Sequence, residues 1–399
     1  MQRSNLRKWV LMLYARKRQI VILLSIVLVV AAIVVLASMS GAILDKIRSR
    51  LPHFELKDYL NKGGMESSGS QDSNQGAGPM RDMSEGLQYT LCADGKGYAV
   101  TGIGVCEDVD VVIPSTYEGL PVIQIGDAAF EYCTEVISVF IAEGVVDIGQ
   151  RAFGDCTKLE KVVIPDSVTS IGSYTFDGCS CLTNVKLPSG LTSIGEGMFV
   201  GCTQLKKLDI PSSVTNIGMY AFRNCSKLES IVIPDKVTSV GKYAFDRCVS
   251  MISVTLPNGL TGISDGMFYY CTQLETIEIP NSVASIGIRA FYNCDSLVSM
   301  NIPGNVTNVG YYAISYCDSL THVVIKDGVV GIDKHAFTSC ANLADITIPN
   351  SIESIGKYAF SNCDSLTNVY YCGNEQSWMR LMDGNDILSA AVHYNYTGE

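Results

Sequence analysis

The chain has 399 residues, with 29 lysines and arginines against 40 aspartates and glutamates, for a formal net charge of −11. The first 50 residues hold nine of the basic side chains and one acid, Asp45, which leaves 20 basic against 39 acidic side chains, a net charge of −19, in the remainder. A surface this acidic repels a phosphate backbone, so the charge argues against nucleic acid as a partner.

A basic segment followed by an apolar stretch opens the sequence. Residues 1–19 hold six basic side chains, and residues 20–44 contain no charged residue. These 25 residues exceed the ~20 that an α-helix needs to cross a bilayer, so they predict a single transmembrane signal anchor. Residues 1–19 would then be cytoplasmic and the rest extracellular. The alternative is secretion after cleavage of a signal peptide between residues 38 and 41, which the length of the apolar stretch disfavours.

Residues 45–86 are predicted to form a juxtamembrane segment and a linker. Apolar side chains are mixed with charges up to residue 60, whereas residues 61–86 are rich in Gly, Ser, Asn and Gln. This composition offers almost nothing to bury, so we expect a flexible spacer with a mean span of ~30 Å.

From residue 131 to residue 371, one pattern repeats every 23 residues. An aliphatic residue, or Met251 in one repeat, lies three positions after each repeat cysteine, and an apolar pair at strand spacing lies six and eight positions after it. Phenylalanine lies three positions before each repeat cysteine, except that Ile314 takes its place once. One unit has too few apolar side chains for a core of its own, so the units must stack into a solenoid. The repeat cysteines are Cys133, Cys156, Cys179, Cys202, Cys225, Cys248, Cys271, Cys294, Cys317, Cys340 and Cys363.

The repeat resembles a known family. Residues 164–179 contain an Ile-Pro step, then Val-Thr-Ser-Ile-Gly, then Phe and Cys, and are similar to the BspA-type leucine-rich repeats of bacterial and protist surface proteins. The resemblance covers residues 87–399. It implies a right-handed, β-rich leucine-rich-repeat solenoid with short strands and short helical turns, an N-terminal cap with a first partial repeat at residues 87–130, and a C-terminal cap at residues 372–399. Caps are physically expected, because an open solenoid end exposes an apolar face and an unpaired strand.

The chain contains 15 cysteines, an odd number for a chain predicted to be exported. In a solenoid the eleven repeat cysteines stack with parallel side chains, so neighbouring sulfur atoms do not point at each other. We therefore expect a row of free, buried thiols that pack as small apolar groups, with disulfides between adjacent repeats as the alternative. Cys92 and Cys106 are a separate candidate for a disulfide.

No sequence motif for catalysis, a cofactor or a metal is found. The four histidines are widely separated, and the chain has no phosphate-binding loop, nucleophile elbow or paired-cysteine metal motif. The sequence thus predicts a protein that is not an enzyme and uses no cofactor.

Outward-pointing strand positions form the candidate ligand-binding surface. Side chains five and seven residues after the repeat cysteines vary along the array while the buried positions do not, although exposed positions also drift freely. Tyrosines five residues before several cysteines form a second candidate, with packing over the neighbouring turn as the other interpretation. The candidate residues on the strand face are Lys161, Lys186, Lys207, Asp209, Glu278, Asn301, His322 and Asp345.

Together these patterns predict a membrane-anchored extracellular binding protein. The family resemblance implies adhesion to host matrix proteins, other cells or glycans. The alternative is a structural scaffold in the envelope of its own cell. Neither interpretation identifies the protein or glycan ligand.

Overall fold

The computed structural model describes residues 83–382 and 390–397. The predicted cytoplasmic segment, the predicted anchor at residues 20–44 and nearly all of the predicted linker lie outside the described residues. Within the described part, no helix combines the length and the apolar character that a membrane span requires. All described residues belong to one compact unit, Pro79–Glu399.

Each repeat contributes two short extended segments to the solenoid. Strands of three or four residues begin five positions after a repeat cysteine, except the first, which precedes Cys133, and strands of two residues begin 14 positions after a repeat cysteine. The longer kind comprises β3 (Asp110–Ile113), β6 (Ser138–Ile141), β8 (Lys161–Val163), β10 (Asn184–Lys186), β13 (Ser230–Val232), β15 (Ser253–Thr255), β16 (Ser299–Ile302), β18 (His322–Ile325), β20 (Asp345–Ile348) and β22 (Asn368–Tyr371). The two-residue kind comprises β7 (Asp147–Ile148), β9 (Ser170–Ile171), β11 (Ser193–Ile194), β12 (Asn216–Ile217), β14 (Ser239–Val240), β17 (Asn308–Val309), β19 (Gly331–Ile332) and β21 (Ser354–Ile355).

Equivalent residues of successive repeats pair with each other in parallel. Val162 pairs with Val185 and Ile231 pairs with Val254, each 23 residues further along the chain. The longer strands form sheets in the orders β10-β8-β6-β3, β13-β15 and β16-β18-β20-β22, and we call their outer surface the strand face. The two-residue strands form a second row of parallel pairs on another side of the solenoid. The 23-residue period thus sets the register directly.

The third side of each repeat is a series of turns, which we call the turn edge and define as the six residues before each cysteine. The N–H of Tyr220 donates to the carbonyl oxygen of Lys242 in the next repeat at 3.1 Å, and that of Phe222 donates to Ala244 at 2.8 Å. Where the sequence predicted short helical turns, the described repeats contain no helix. Some carbonyl groups of the turn edge accept from the preceding repeat, whereas others accept from the N–H three residues further on, as Tyr243 does from Asp246 at 3.1 Å. Residues five and one before the cysteine have left-handed φ values of 53° to 73° in all eleven repeats.

The core consists of side-chain rows that run along the solenoid. The phenylalanine rings stack with centroids 5.3–5.6 Å apart from Phe130 to Phe291 and again between Phe337 and Phe360. Ile314 interrupts the stack, as the sequence predicted, and is itself fully buried. Every repeat leucine from Leu159 onward is buried too. Aligned repeats therefore build the continuous core that no single repeat possesses.

Different elements close the two ends of the array. At the N-terminal end β1 (Gln88–Leu91) pairs antiparallel with β2 (Tyr98–Gly102), and β4 (Thr116–Tyr117) pairs antiparallel with β5 (Leu120–Ile125). At the C-terminal end β23 (Ala391–His393) extends the strand-face sheet beyond β22. Asn374 caps the N-terminus of the helix α1 (Glu375–Leu381), because its side chain accepts from the N–H of Ser377. Trp378 of this helix packs on Tyr371 with ring centroids 5.2 Å apart.

Candidate ligand-binding surfaces

The strand face is the most extended exposed surface of the solenoid. Parallel sheets usually have both faces covered by helices, but here one face packs on the core and the outward positions of the other are open to solvent along the described repeats. All eight candidate residues lie on this face. Lys161, Lys186, Lys207, Asp209, Glu278, Asn301 and His322 are exposed, and Asp345 is half-buried.

The structure does not bring the eight residues together into one cluster. Strand pairing on this face stops at two places, so the face consists of three separate stretches. The first break is at Lys207–Ile210, where the main chain makes no hydrogen bond within the part of the chain that the structure describes. The second is at Ile277–Ile279, which does not pair with β16. Lys161 and Lys186 lie before the first break, and Asn301, His322 and Asp345 lie after the second.

A shallow groove opens at each break. Lys207 and Asp209 line a groove of about 280 Å³, together with the half-buried Ile210 and the exposed Val232. Glu278 lines another, of about 400 Å³, which lies between the segments 253–256 and 276–279. Both grooves combine apolar side chains with charged rims, a composition that suits side chains of a protein ligand. Three of the eight candidate residues therefore border grooves rather than flat sheet.

A chain of polar contacts crosses the last four strands of the strand face. His322 Nε2 lies 3.2 Å from the Asp345 carboxylate, Asn368 donates to the same carboxylate at 2.8 Å, and His393 Nε2 lies 3.0 Å from the Asn368 side-chain oxygen. His322 and Asp345 are among the residues predicted from the sequence, whereas their partners Asn368 and His393 are not. For Asn368 the signal was available, because His322, Asp345 and Asn368 occupy equivalent positions of successive strands. His393 could not be found in this way, because it pairs with Tyr370 rather than with Asn368.

The turn edge carries the tyrosines that formed the second candidate surface. Tyr220 and Tyr243 stack with centroids 5.8 Å apart, and Tyr312, His335 and Tyr358 continue along the same edge at separations of 4.6 and 5.2 Å. Packing over the neighbouring turn is therefore part of their role. Four of these five rings are half-buried, and Tyr358 is 49% exposed, so the turn edge also offers them to a ligand.

One carboxylate is buried beneath the turn edge. The side chain of Asp246 is 4% exposed, and one of its oxygens lies 2.9 Å from Arg223 Nε. The other oxygen, Oδ1, has no hydrogen-bond partner among the described residues. Burial raises the pKa of this carboxyl group above its usual range, against the lowering effect of Arg247 and Arg223.

The repeat cysteines are free thiols in the structure, and all from Cys156 onward are buried. Burial raises the pKa of the Cys156 and Cys363 thiols to about 12 and raises that of Cys202 well above the usual value. Protonated thiols are poor nucleophiles and poor metal ligands. The proposed disulfide between Cys92 and Cys106 is not formed, since both are free thiols as well.

No group of three or more His, Cys, Asp or Glu side chains within residues 83–382 and 390–397 is placed to hold a metal ion. The repeat cysteines illustrate the reason, because their thiols extend in a single row along the solenoid and cannot surround one ion.

Comparison with known families identifies the repeat. The family described as "BspA type Leucine rich repeat region (6 copies)" matches residues 109–229, 192–320 and 261–379. The chain belongs to this family. The BspA-type assignment covers most of the described solenoid and confirms the resemblance seen in the sequence. No curated protein matches the chain.

Several solved structures are similar to this chain. A leucine-rich repeat protein from Bacteroides ovatus is 27% identical, with a TM-score of 0.56, over 79% of this chain and all of that one. A leucine rich cell surface protein from Faecalibacterium prausnitzii is 29% identical over 78% of this chain and all of that one, with a TM-score of 0.45. The pneumococcal vaccine antigen PcpA, at 19% identity and a TM-score of 0.50 over 80% of this chain and 98% of its own, shows the shared fold alone.

Proposed function

We propose that this protein is a cell-surface recognition protein that binds a protein ligand on its strand face and carries out no catalysis. The observation that carries the proposal is the open outer face of the parallel strand-face sheets. Membership of the BspA-type family supports a surface location and a binding role, since these repeats form a binding and scaffold fold rather than a known enzyme class.

In this proposal the two breaks in the strand face are where the ligand binds most tightly. Unpaired main-chain groups at Lys207–Ile210 offer hydrogen bonds to an extended segment of a ligand, while Val232 and Ile210 offer apolar contact in the same groove. Lys161, Lys186 and Lys207 border this region with positive charge, which suits an acidic segment of a partner protein. Residues 20–44 would anchor the chain in the membrane with the solenoid outside the cell.

The test is binding of residues 79–399 to a panel of immobilised matrix proteins. This fragment is suitable because it is one compact unit with its own closed core. Saturable binding that is lost in the triple variant Lys161→Glu, Lys186→Glu and Lys207→Glu would support the proposal. A matched triple variant with glutamate at Lys227, Lys236 and Lys326, which are exposed and lie outside the strands of the strand face, should bind normally.

Two outcomes would count against adhesion through the strand face. Absence of binding across the panel, together with failure of an antibody against residues 79–399 to label intact cells, would favour the envelope scaffold. Binding that survives in the first triple variant would show that another surface is responsible.

A further inference from the structure

The turn edge of the C-terminal repeats presents one aromatic ring from each of seven successive repeats, a row we call the aromatic ridge. Neighbouring centroids lie 4.6–6.2 Å apart without a gap. At one repeat per ~4.8 Å, the ridge extends over ~30 Å. Its members are Tyr220, Tyr243, Tyr269, Tyr292, Tyr312, His335 and Tyr358.

The ridge is continuous although its rings come from two different positions of the repeat. Five rings occupy the position five residues before the cysteine, but two repeats have Gly266 and Arg289 there. In those two repeats the ring comes from three residues further on, as Tyr269 and Tyr292. The ring of Tyr243 lies over Gly266, where any side chain would collide with it. Simple repetition of one position therefore does not account for the row.

Backbone preference also does not account for the choice of residue. The five rings at the first position belong to residues with φ between 55° and 62°. A left-handed conformation costs a bulky residue on the order of 1–2 kcal/mol, whereas Gly or Asn adopts it at lower cost. Asn224, Asn293 and Asn362 occupy left-handed positions elsewhere on the same edge. Stacking returns about 0.5–1.5 kcal/mol per pair, in addition to the apolar area that each half-buried ring covers.

Basic side chains flank the ridge in an otherwise acidic protein. The side chains beside the ridge lie six, five, two and one residues before each cysteine. From the repeat of Cys248 onward, these positions include two carboxylates, Asp246 and Asp265. Asp246 is buried, and Asp265 pairs with Lys242 at 2.8 Å. The same positions in the five preceding repeats hold five acids and two arginines. The positive side chains along the ridge are Lys242, Arg247, Arg289, Lys334 and Lys357.

Three of these cations are available to a ligand. Arg289, Lys334 and Lys357 are exposed and form no ion pair with another described residue. The Arg289 guanidinium lies 6.0 Å from the ring centroid of Tyr292 and 5.8 Å from that of Tyr312. A guanidinium held in this way is suited to pairing with a carboxylate or sulfate.

The orientation of the rings indicates the class of ligand. Ridge rings contact one another through stacked or edge-to-face pairs, so their faces are engaged within the protein. Nucleic-acid bases bind by stacking on free ring faces, of which the ridge offers few because each inner ring is paired with both of its neighbours. What it offers is ring edges, which carry partial positive charge, and phenol hydroxyls such as those of Tyr269 and Tyr292, which have no hydrogen-bond partner among the described residues.

We propose that the aromatic ridge binds an acidic polysaccharide along its length. A linear polymer with a carboxylate or sulfate at regular intervals matches a straight row of hydroxyl, guanidinium and ammonium donors. This surface is separate from the strand face, so the proposal goes beyond the protein-ligand function proposed above and does not depend on it.

The test is binding of residues 79–399 to heparin as a sulfated probe, hyaluronan as a carboxylate probe and dextran as a neutral control. We expect binding to at least one acidic probe at low salt, with an affinity that falls as salt rises. The triple variant Arg289→Gln, Lys334→Gln and Lys357→Gln should weaken this binding about tenfold or more. A double variant, Tyr269→Phe and Tyr292→Phe, keeps the rings but removes two donors and should weaken it by a smaller factor.

A strand-face variant with glutamine at Lys161, Lys186 and Lys207 is the matched control and should bind the acidic probes as the unaltered protein does. Equal loss in the control variant, equal binding to dextran, or no binding to either acidic probe would overturn the proposal. Dimerisation of the fragment that disappears in the ridge variant would also overturn it, because the ridge would then bind a second copy of the chain.

Discussion

The Sγ atom of Cys225 donates a hydrogen bond to the carbonyl oxygen of Phe199 in the preceding repeat, at 3.1 Å. Equivalent bonds recur from Cys156 to Cys363 at 3.0–3.3 Å. The same carbonyl group also accepts from the N–H of Cys202 in its own repeat, at 3.2 Å. Each buried thiol is thus a hydrogen-bonded donor that links two repeats, and no disulfide is needed to hold the row together.

The first prediction concerns access to these thiols. In the native protein at pH 8, a thiol reagent should react at most with the five half-buried cysteines, because the other ten are buried and protonated. Unfolding in denaturant without any reductant should reveal all 15 thiols. The count is read from absorbance of the released chromophore. A smaller number in the unreduced, unfolded sample would reveal disulfides and contradict the structure.

The second prediction concerns alkaline pH. Burial places the thiol pKa at about 12 for Cys156 and Cys363, above the ordinary value of 9.0, so the folded state favours the protonated form. The stabilisation is complete below about pH 9 and is lost as the pH rises towards 12, by up to about 1.4 kcal/mol per pH unit for each thiol. Urea unfolding between pH 7 and pH 11 measures the slope.

A variant isolates the contribution of one thiol to that slope. Cys225→Ala removes one buried ionisable group, so its free energy of unfolding should fall less steeply above pH 9 than that of the unaltered protein, whatever its stability at pH 7. Parallel curves for the two proteins would show that the buried thiols do not cause the loss.

The third prediction concerns close packing between repeats. A Cβ atom on Gly218 would lie 2.6 Å from the main-chain nitrogen of Glu196 in the preceding repeat, and backbone cannot easily move away. Gly218→Ala should therefore destabilise the protein by about 1–3 kcal/mol. Gly190→Ala is the matched control, because a Cβ there meets nothing within 4 Å, and its effect should stay within about 0.5 kcal/mol. Similar melting temperatures for the two variants would contradict the close approach.

The fourth prediction concerns Asp246, whose buried Oδ1 has no partner among the described residues. Because burial raises its pKa, the folded state favours the neutral acid, and stability is lost as the pH rises through the folded pKa. Asp246→Asn keeps the shape without the charge, so its stability relative to the unaltered protein should improve by about 1 kcal/mol between pH 4 and pH 7. Asp318→Asn, at an exposed position, should show no such trend. A relative stability of Asp246→Asn that falls with pH would mean that the Arg223 ion pair outweighs burial.

The core was predictable from the sequence because the same residue types recur at the same positions of successive repeats. Phenylalanine, leucine and cysteine recur every 23 residues, and even the interruption at Ile314 is visible in the sequence and present in the structure. Period alone fixes which residues stack, since a parallel solenoid places residue i against residue i + 23.

The turn edge was not predictable in the same way. Left-handed conformations are usually signalled by Gly or Asn, but here Tyr, Arg and His occupy many of the positions, and inter-repeat hydrogen bonds rather than local preference impose the geometry. The breaks in the strand face were also hidden, because Lys207–Ile210 keeps the alternation of apolar and polar residues that its paired neighbours show. The ridge combines two repeat positions, so considering each position separately did not reveal it.

The breaks in the strand face have a mechanical consequence. The rows of thiols and phenylalanines hold successive repeats together in the interior, whereas the strand-face hydrogen bonds are missing at Lys207–Ile210 and between Ile277–Ile279 and β16. Bending that widens the strand face therefore concentrates at two points instead of spreading evenly. We expect the two breaks, rather than the paired segments between them, to take up a change of curvature when a ligand binds.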